Sequence, residues 1–327
     1  VDLTLGAEQE AIRDAIRDLL ADRLPMARVR QLAGGVADDV WTQAGSLGWF
    51  GLGLPEGAGG AGYGLAEEML LFIELGRSLA PGPWLGTVLA THALRGEALR
   101  ALLVGDHRVA LVDDSGDTGE SGVVADAAAA TDFLVLGRRR VRHVAAGARG
   151  LTVTAGTGGI DPTRRLAHVR VAEGCGDVLD LDVDALRRRA AVLVAAEAVG
   201  VAERTLEASV EYAKVRQQFG RPIGSFQAVK HRCADMAVRA EVARSITTWA
   251  AVALRDDEPD AARHVREAKA LAVDAALANA HDNVQNHGGM GFTWEADAHL
   301  YLKRAWILEH QLGSRAAQLD ALAAEWR

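Results

Sequence analysis

Between Ala7 and Leu24 the apolar side chains fall at Ile12, Ile16, Leu19 and Leu20, which is the spacing of one helix face. Glu8 and Glu10 sit near the positive N-terminal end of that helix, where acidic side chains are favoured. Trp41 to Leu47 reads as a short second helix, and "GLGLPEGAGGAGYG" supplies the glycines and proline of an extended loop. A further helix over Leu65 to Leu79 stops before "APGPW", whose prolines cannot continue it. The pattern predicts a helical N-terminal domain over residues 1–104.

The period then changes. "RVALVDD", "GVVAD", "DFLVLG", "RVRHV", "GLTVTAG" and "RLAHVRVAE" are short runs rich in β-branched residues, separated by Gly, Asp and Pro. They predict a small antiparallel β domain over residues 105–183. Helical spacing returns over about 192–216, 225–254, 260–285 and 298 to the C-terminus, with breaks at "GRPIGS", "DDEPD" and "HGGMGFTWEAD". Four long helices on short connections predict an antiparallel bundle over residues 184–327. The fold class is therefore mainly α with a small β domain.

Composition narrows the function. Of the 327 residues about half are apolar, enough to bury a substantial core, and the net charge is −8. That charge argues against nucleic acid or an anionic membrane as partner. Two basic runs, Arg138–Arg140 and Arg187–Arg189, read as solvated strand or helix ends. Cys175 and Cys233 lie far apart without metal-ligand spacing, so they read as small buried residues in a reducing compartment. His287 and His310 form no metal pair, and no metal site is expected. With no apolar run of membrane-spanning length and no leader pattern, the expected location is the cytoplasm.

The candidate chemistry lies at two bundle turns. In "KVRQQFGRPIGSFQ", Gly220 permits unusual backbone angles and Pro222 stops the helix, so Arg216 and Arg221 flank a turn beside Phe219. Fixed guanidinium groups next to an aromatic surface suit a diphosphate with an adenine nearby, although the residues taken alone fit a plain helical turn with surface arginines better. "QNHGGMGF", Gln285 to Phe292, is a second glycine-rich turn, where backbone can approach a ligand closely.

R-x-x-F-G-x-P-I-x-x-F-Q followed by Q-x-x-G-G-x-G-F resembles the C-terminal domain of the acyl-CoA dehydrogenases. "WTQAGSLGWFGLGLPEGAGGAGYG", with Glu74 and Gly76 in the next helix, is similar to their N-terminal domain. The order helical domain, β domain, four-helix bundle also fits. The resemblance implies that Arg216, Gln218 and Phe219 contact the diphosphate and adenosine of FAD. It implies that Gln285, Gly288, Gly289 and Gly291 hold the ADP portion, in a site shared across a subunit interface.

Three departures from the family pattern shape the functional expectation. The β domain is short, and the threonine-glutamate-proline, glycine-serine and tryptophan-isoleucine-threonine segments that bracket the flavin ring are missing. Aligning Arg304 with the family's arginine puts Leu312 where a glutamate base stands, and the alternative base position on the first bundle helix is Ala190. Glu197, seven residues on from Ala190 in "AAVLVAAEAVGVA", is the candidate base: a carboxylate desolvated there would have a raised pKa. Arg204 and Glu211 continue the same stripe and offer the other reading, a polar seam; Glu309 lies near the missing base but out of phase. The pattern resembles short subunits of heteromeric acyl-CoA dehydrogenases of actinobacterial sterol degradation. That implies oxidation of an acyl-CoA to its α,β-enoyl-CoA with a longer paralogue in a heterotetramer, or otherwise a homodimer. A non-redox scaffold of the same fold is the alternative.

Overall fold

The structure is a computed structural model that describes residues 3–114, 122–156 and 158–325. Six helices fill the N-terminal part: α1 Ala7–Arg23, α2 Met26–Leu32, α3 Asp38–Ser46, α4 Leu65–Arg77, α5 Trp84–Ala93 and α6 Gly96–Leu103. Three of them, α2, α5 and α6, are absent from the sequence reading for physical reasons. In α5 nearly every residue is buried, so no polar face exists to reveal a period. Helices α2 and α6 have 7 and 8 residues, too few for periodicity to register. Trp41, Phe50 and Trp84 anchor this region, their ring centroids 4.5 to 5.7 Å apart.

All six strand-like runs form strands: β1 Val109–Asp114, β2 Val123–Ala125, β3 Asp132–Gly137, β4 Val141–Ala145, β5 Leu151–Ala155 and β6 Leu166–Val171. A short seventh, β7 Asp177–Leu179, adds to them. One sheet runs β1-β3-β4-β7 and the other β2-β6-β5. Alternate residues of these strands, among them Ala110, Val112, Val124, Phe133, Val135, Val169 and Val171, build one apolar core. The second sheet is antiparallel throughout, as expected, whereas the first is mixed, because β1 and β3 pair in parallel. Burial on both faces accounts for it: β3 is buried at Asp132 through Leu136, as expected for a strand inside a parallel pair. Helix α5 packs against β1 so closely that a methyl at Gly86 would collide with the Val109 carbonyl oxygen.

The C-terminal part contains α7 Val183–Val215, a hairpin of β8 Gln217–Gln218 and β9 Arg221–Pro222, then α8 Gln227–Arg255, α9 Ala261–His287, α10 Ala298–His310 and α11 Arg315–Glu325. Helix α7 begins earlier than its apolar spacing predicts. Asp182 caps it, accepting hydrogen bonds from the N–H groups of Asp184 and Ala185 at 2.8 and 3.1 Å. The last helix is broken where the sequence predicts continuity. Leu312 and Gly313 turn left-handed at φ 58° and 89°, and the buried Lys269 ammonium donates to the Gly313 carbonyl. Residues 326 and 327 of that expected helix lie outside the described residues.

Two compact units result: Val1–Arg17, Met69–Leu79 and Ala191–Arg327 form one, Asp18–Glu68 and Ala80–Ala190 the other. Among the described residues no helix is long and apolar enough to cross a membrane, and no group of three or more potential ligands could hold a metal.

Candidate functional site at one end of the helical bundle

The turn after α7 is a two-residue hairpin. Gln217 pairs with Pro222 and Gln218 with Arg221, leaving Phe219 and Gly220 at the tip with φ of 53° and 75°. Positive φ at both central residues is the signature of a type I′ turn, whose twist matches its strands. That geometry holds Phe219 outward, 91% exposed, with Phe226 edge-on at 6.1 Å. Arg221 is occupied, its guanidinium 4.2 Å over the Phe226 ring. Arg216 is exposed, and its guanidinium has no hydrogen bond or ion pair among the described residues. The Gln218 side chain donates to the Gln217 carbonyl at 2.8 Å.

The second turn follows α9. Gly288 takes φ 59° at the helix end, and neither it nor Gly289 has an atom near the position of a Cβ. Gly291 differs, since a methyl there would strike the Val284 carbonyl oxygen. Its glycine is required by packing, whereas Gly288 and Gly289 leave open backbone. Gln285 is exposed on the last turn of α9.

Three contacts tie the end of α9 to its neighbours, two from α7 and one from α8. Tyr212 stacks on His287 with ring centroids 4.2 Å apart. Ser209 donates to Asn283 at 2.9 Å, and Arg232 donates to Asn286 at 2.8 Å. Apart from His287, which the sequence reading took as no metal ligand, it missed these residues; Asn283 and Asn286 sit within or beside the glycine motif, and Tyr212 lies one helical turn before Arg216. Around this end Val215, Met290, Phe292 and Trp294 are also exposed, an apolar surface with a cationic centre.

No carboxylate stands at either expected base position: Ala190 is fully buried in α7, and Leu312 lies in the α10–α11 break. Glu197 is buried, and its Oε1 accepts a hydrogen bond from Arg304 at 2.8 Å. Arg304, itself fully buried, also donates to the Leu79 carbonyl at 3.3 Å. Its signal in the sequence is its place on the apolar face of α10, in line with Leu300, Tyr301 and Leu308. The stripe through Glu197 divides, because Arg204 turns to Glu211 at 3.3 Å instead. Glu309 accepts the Arg315 N–H at 3.1 Å and so caps α11. In α4, Glu74 is buried and takes two hydrogen bonds from Arg17, at 2.8 and 3.0 Å. A methyl at Gly76 would meet the Glu197 carbonyl oxygen, so this glycine sets the close crossing of α4 on α7.

Models of the acyl-CoA dehydrogenase N-terminal and C-terminal domains match residues 6–98 and 186–326. The chain is 37% identical over 321 residues to acyl-CoA dehydrogenase IpdE2 of Mycobacterium tuberculosis, covering 93% of this chain and 92% of that protein. It is 36% identical over 346 residues to acyl-CoA dehydrogenase FadE34 of the same organism, covering 98% of this chain. There it spans only 47% of the relative's length. Among solved structures, the ChsE4-ChsE5 complex from Mycobacterium tuberculosis superposes with a TM-score of 0.86 at 25% identity, covering 100% of this chain and 99% of that chain.

Proposed function

The chain belongs to the acyl-CoA dehydrogenase family, and from that premise we propose that it is one subunit of an FAD-dependent enzyme that oxidises an acyl-CoA thioester to its α,β-enoyl form. The observation that carries the reading is an asymmetry. One bundle end presents an Arg216 without a partner among the described residues, an exposed Phe219 and open backbone at Gly288 and Gly289, while Ala190 and Leu312 stand where a base is needed.

The residues fit the nucleotide half of FAD. A guanidinium without a protein partner suits a diphosphate, and a free aromatic face suits adenine. Arg216, Gln218 and Phe219 would lie along the diphosphate and adenosine, with Gln285, Gly288 and Gly289 beside the ADP portion and Gly291 fixing the turn. When bound, FAD supplies the acceptor for the substrate's β-hydride. Removing the α-proton needs a base within hydrogen-bond reach, and neither alanine nor leucine titrates. Glu197 is engaged by Arg304, so its role in this reading is to neutralise a buried guanidinium. The base and the flavin-ring contacts then come from a partner chain, a longer paralogue in a heterotetramer, seated on the apolar surface around Phe219 and Phe292. Support for such a partner comes from the likeness to one chain of a two-protein complex.

The test is to purify the chain alone and co-expressed with a longer paralogue, and to measure bound flavin by absorbance and acyl-CoA-dependent reduction of an artificial electron acceptor. The lone chain is expected to hold little FAD and show no turnover, and the pair to gain both. Stoichiometric FAD and turnover in the single chain would overturn the reading. A pair that binds no flavin would instead favour a scaffold of the same fold.

A further inference from the structure

Arg138, Arg139 and Arg140 play no part in the proposed dehydrogenase chemistry. They form the connection between β3 and β4, closed by a hydrogen bond from the Gly137 N–H to the Arg140 carbonyl at 2.9 Å. The connection is braced from behind. Arg187 of α7 donates to the Leu136 and Gly137 carbonyls, both at 3.1 Å, and reaches Asp113 at 3.3 Å. The three arginines therefore project from a fixed base into a cavity of about 550 Å³.

Among the described residues, the charges lining that cavity do not balance: four guanidinium groups, on Arg138, Arg139, Arg140 and Arg142, and two carboxylates, Asp114 and Glu173, line it, and Arg138 has an interaction of its own. Arg142 is committed: it pairs with Asp114 at 3.4 Å and donates to the Ala172 and Cys175 carbonyls at 3.1 and 3.2 Å. Arg139 and Arg140 have no side-chain hydrogen bond or ion pair among the described residues. Arginines at a convex tip would be solvated independently. Here adjacent like charges share a concavity, which focuses a positive potential and lowers the free energy of a bound anion. The cavity has the size of a small-molecule site, and guanidinium forks match phosphate oxygens in pairs.

We propose that this cavity is a binding site for a diphosphate-bearing small molecule, held chiefly by Arg139 and Arg140. The assignment is independent of the dehydrogenase reading, because it rests on strand connections braced by Arg187, none of which that reading uses. The same chemistry is available from a free nucleoside diphosphate and from the nucleotide end of coenzyme A.

Isothermal titration at low ionic strength with inorganic pyrophosphate, ADP and coenzyme A tests it on the full chain. Saturable binding of pyrophosphate is expected, weakened about tenfold or more in R139Q/R140Q, since charge-assisted hydrogen bonds are lost. R149Q, on an exposed arginine outside the cavity, should bind as the parent does. R139K/R140K keeps the charge and loses the fork, so it should fall between them; it also serves if the glutamine variant fails to fold. Coenzyme A binding about tenfold tighter than ADP, with the same arginine dependence, identifies coenzyme A as the source, and equal affinities identify any nucleoside diphosphate. No saturable binding of pyrophosphate, or binding that R139Q/R140Q leaves within twofold, overturns the proposal.

Discussion

Two runs of three arginines occur in this chain, Arg138–Arg140 and Arg187–Arg189, and the fold treats them in opposite ways. Arg189 donates to Glu68 at 2.8 Å, and Glu68 is fully buried and also meets His92 at 2.7 Å. Arg187 clamps the end of β3, and Arg188 lies 3.7 Å from Asp182. Among the first run, Arg139 and Arg140 are exposed, with no hydrogen bond or ion pair of their side chains among the described residues. Expected alike as solvated ends, one run is thus built into the structure. The lesson is that a charge holds a fold when partners close over it and is available for ligands when they do not. Glu197–Arg304 and Arg216 repeat the contrast within the bundle.

The most deeply buried pair should give the largest effect. Glu197→Ala removes the carboxylate to which Arg304, with no exposure, donates, so unfolding in urea should show a loss of about 3 to 5 kcal/mol. Glu197→Gln separates the two roles of this carboxylate. If it is structural, stability falls and the assembled enzyme's residual turnover follows the folded fraction. Turnover abolished in a fully folded variant would make Glu197 the base.

Arg189→Ala should cost somewhat less, about 3 kcal/mol, because its side chain is 22% exposed and water relieves part of the stranded charge on Glu68. Acid sensitivity sharpens the comparison. Burial alone would raise the Glu68 pKa, but hydrogen bonds and charge from His92 and Arg189 outweigh it and hold the carboxyl below 4.5. A depressed folded-state pKa means stabilisation present above 4.5 and lost as pH falls below it. Glu68→Gln should therefore flatten the low-pH limb of a stability profile. A limb of unchanged slope would show that other carboxylates, such as Asp132 between His107 and His143, carry it.

These outcomes bear on what a sequence can reveal. The strands were legible because their β-branched runs alternate and end at Gly, Asp or Pro, and the two bundle turns because Gly and Pro mark them. Helix α5 was hidden by being buried all round, and the break at Leu312 by a leucine in a conformation that leucine seldom adopts. Which arginine is tied depends on distant partners: Glu68 and Arg189 are 121 residues apart, and Glu197 and Arg304 are 107 apart. No local pattern encodes that closure.

On the free side of the comparison, Arg216→Ala should weaken FAD binding in the competent assembly by about 1.5 to 3 kcal/mol, the range for a charge-assisted hydrogen bond. Fold stability should not change, because Arg216 makes no ion pair among the described residues. Flavin titration of the co-purified pair, with a melting curve alongside, measures both. Unaltered flavin affinity would remove this turn from the cofactor site.

The smallest expected effect is the most discriminating for the two arginine runs. Exposed side chains without partners contribute little to folding, so R139Q/R140Q should shift unfolding stability by no more than about 0.5 kcal/mol. Removing two adjacent like charges could even stabilise the β3–β4 connection slightly, since their mutual repulsion is relieved. In salt the parent should gain relative to the variant, because screening relieves the same repulsion in the parent alone. Urea midpoints at low and high ionic strength test this directly. A loss comparable to that of Arg189→Ala would mean that Arg139 and Arg140 are tied after all, and the contrast between the two runs would fail.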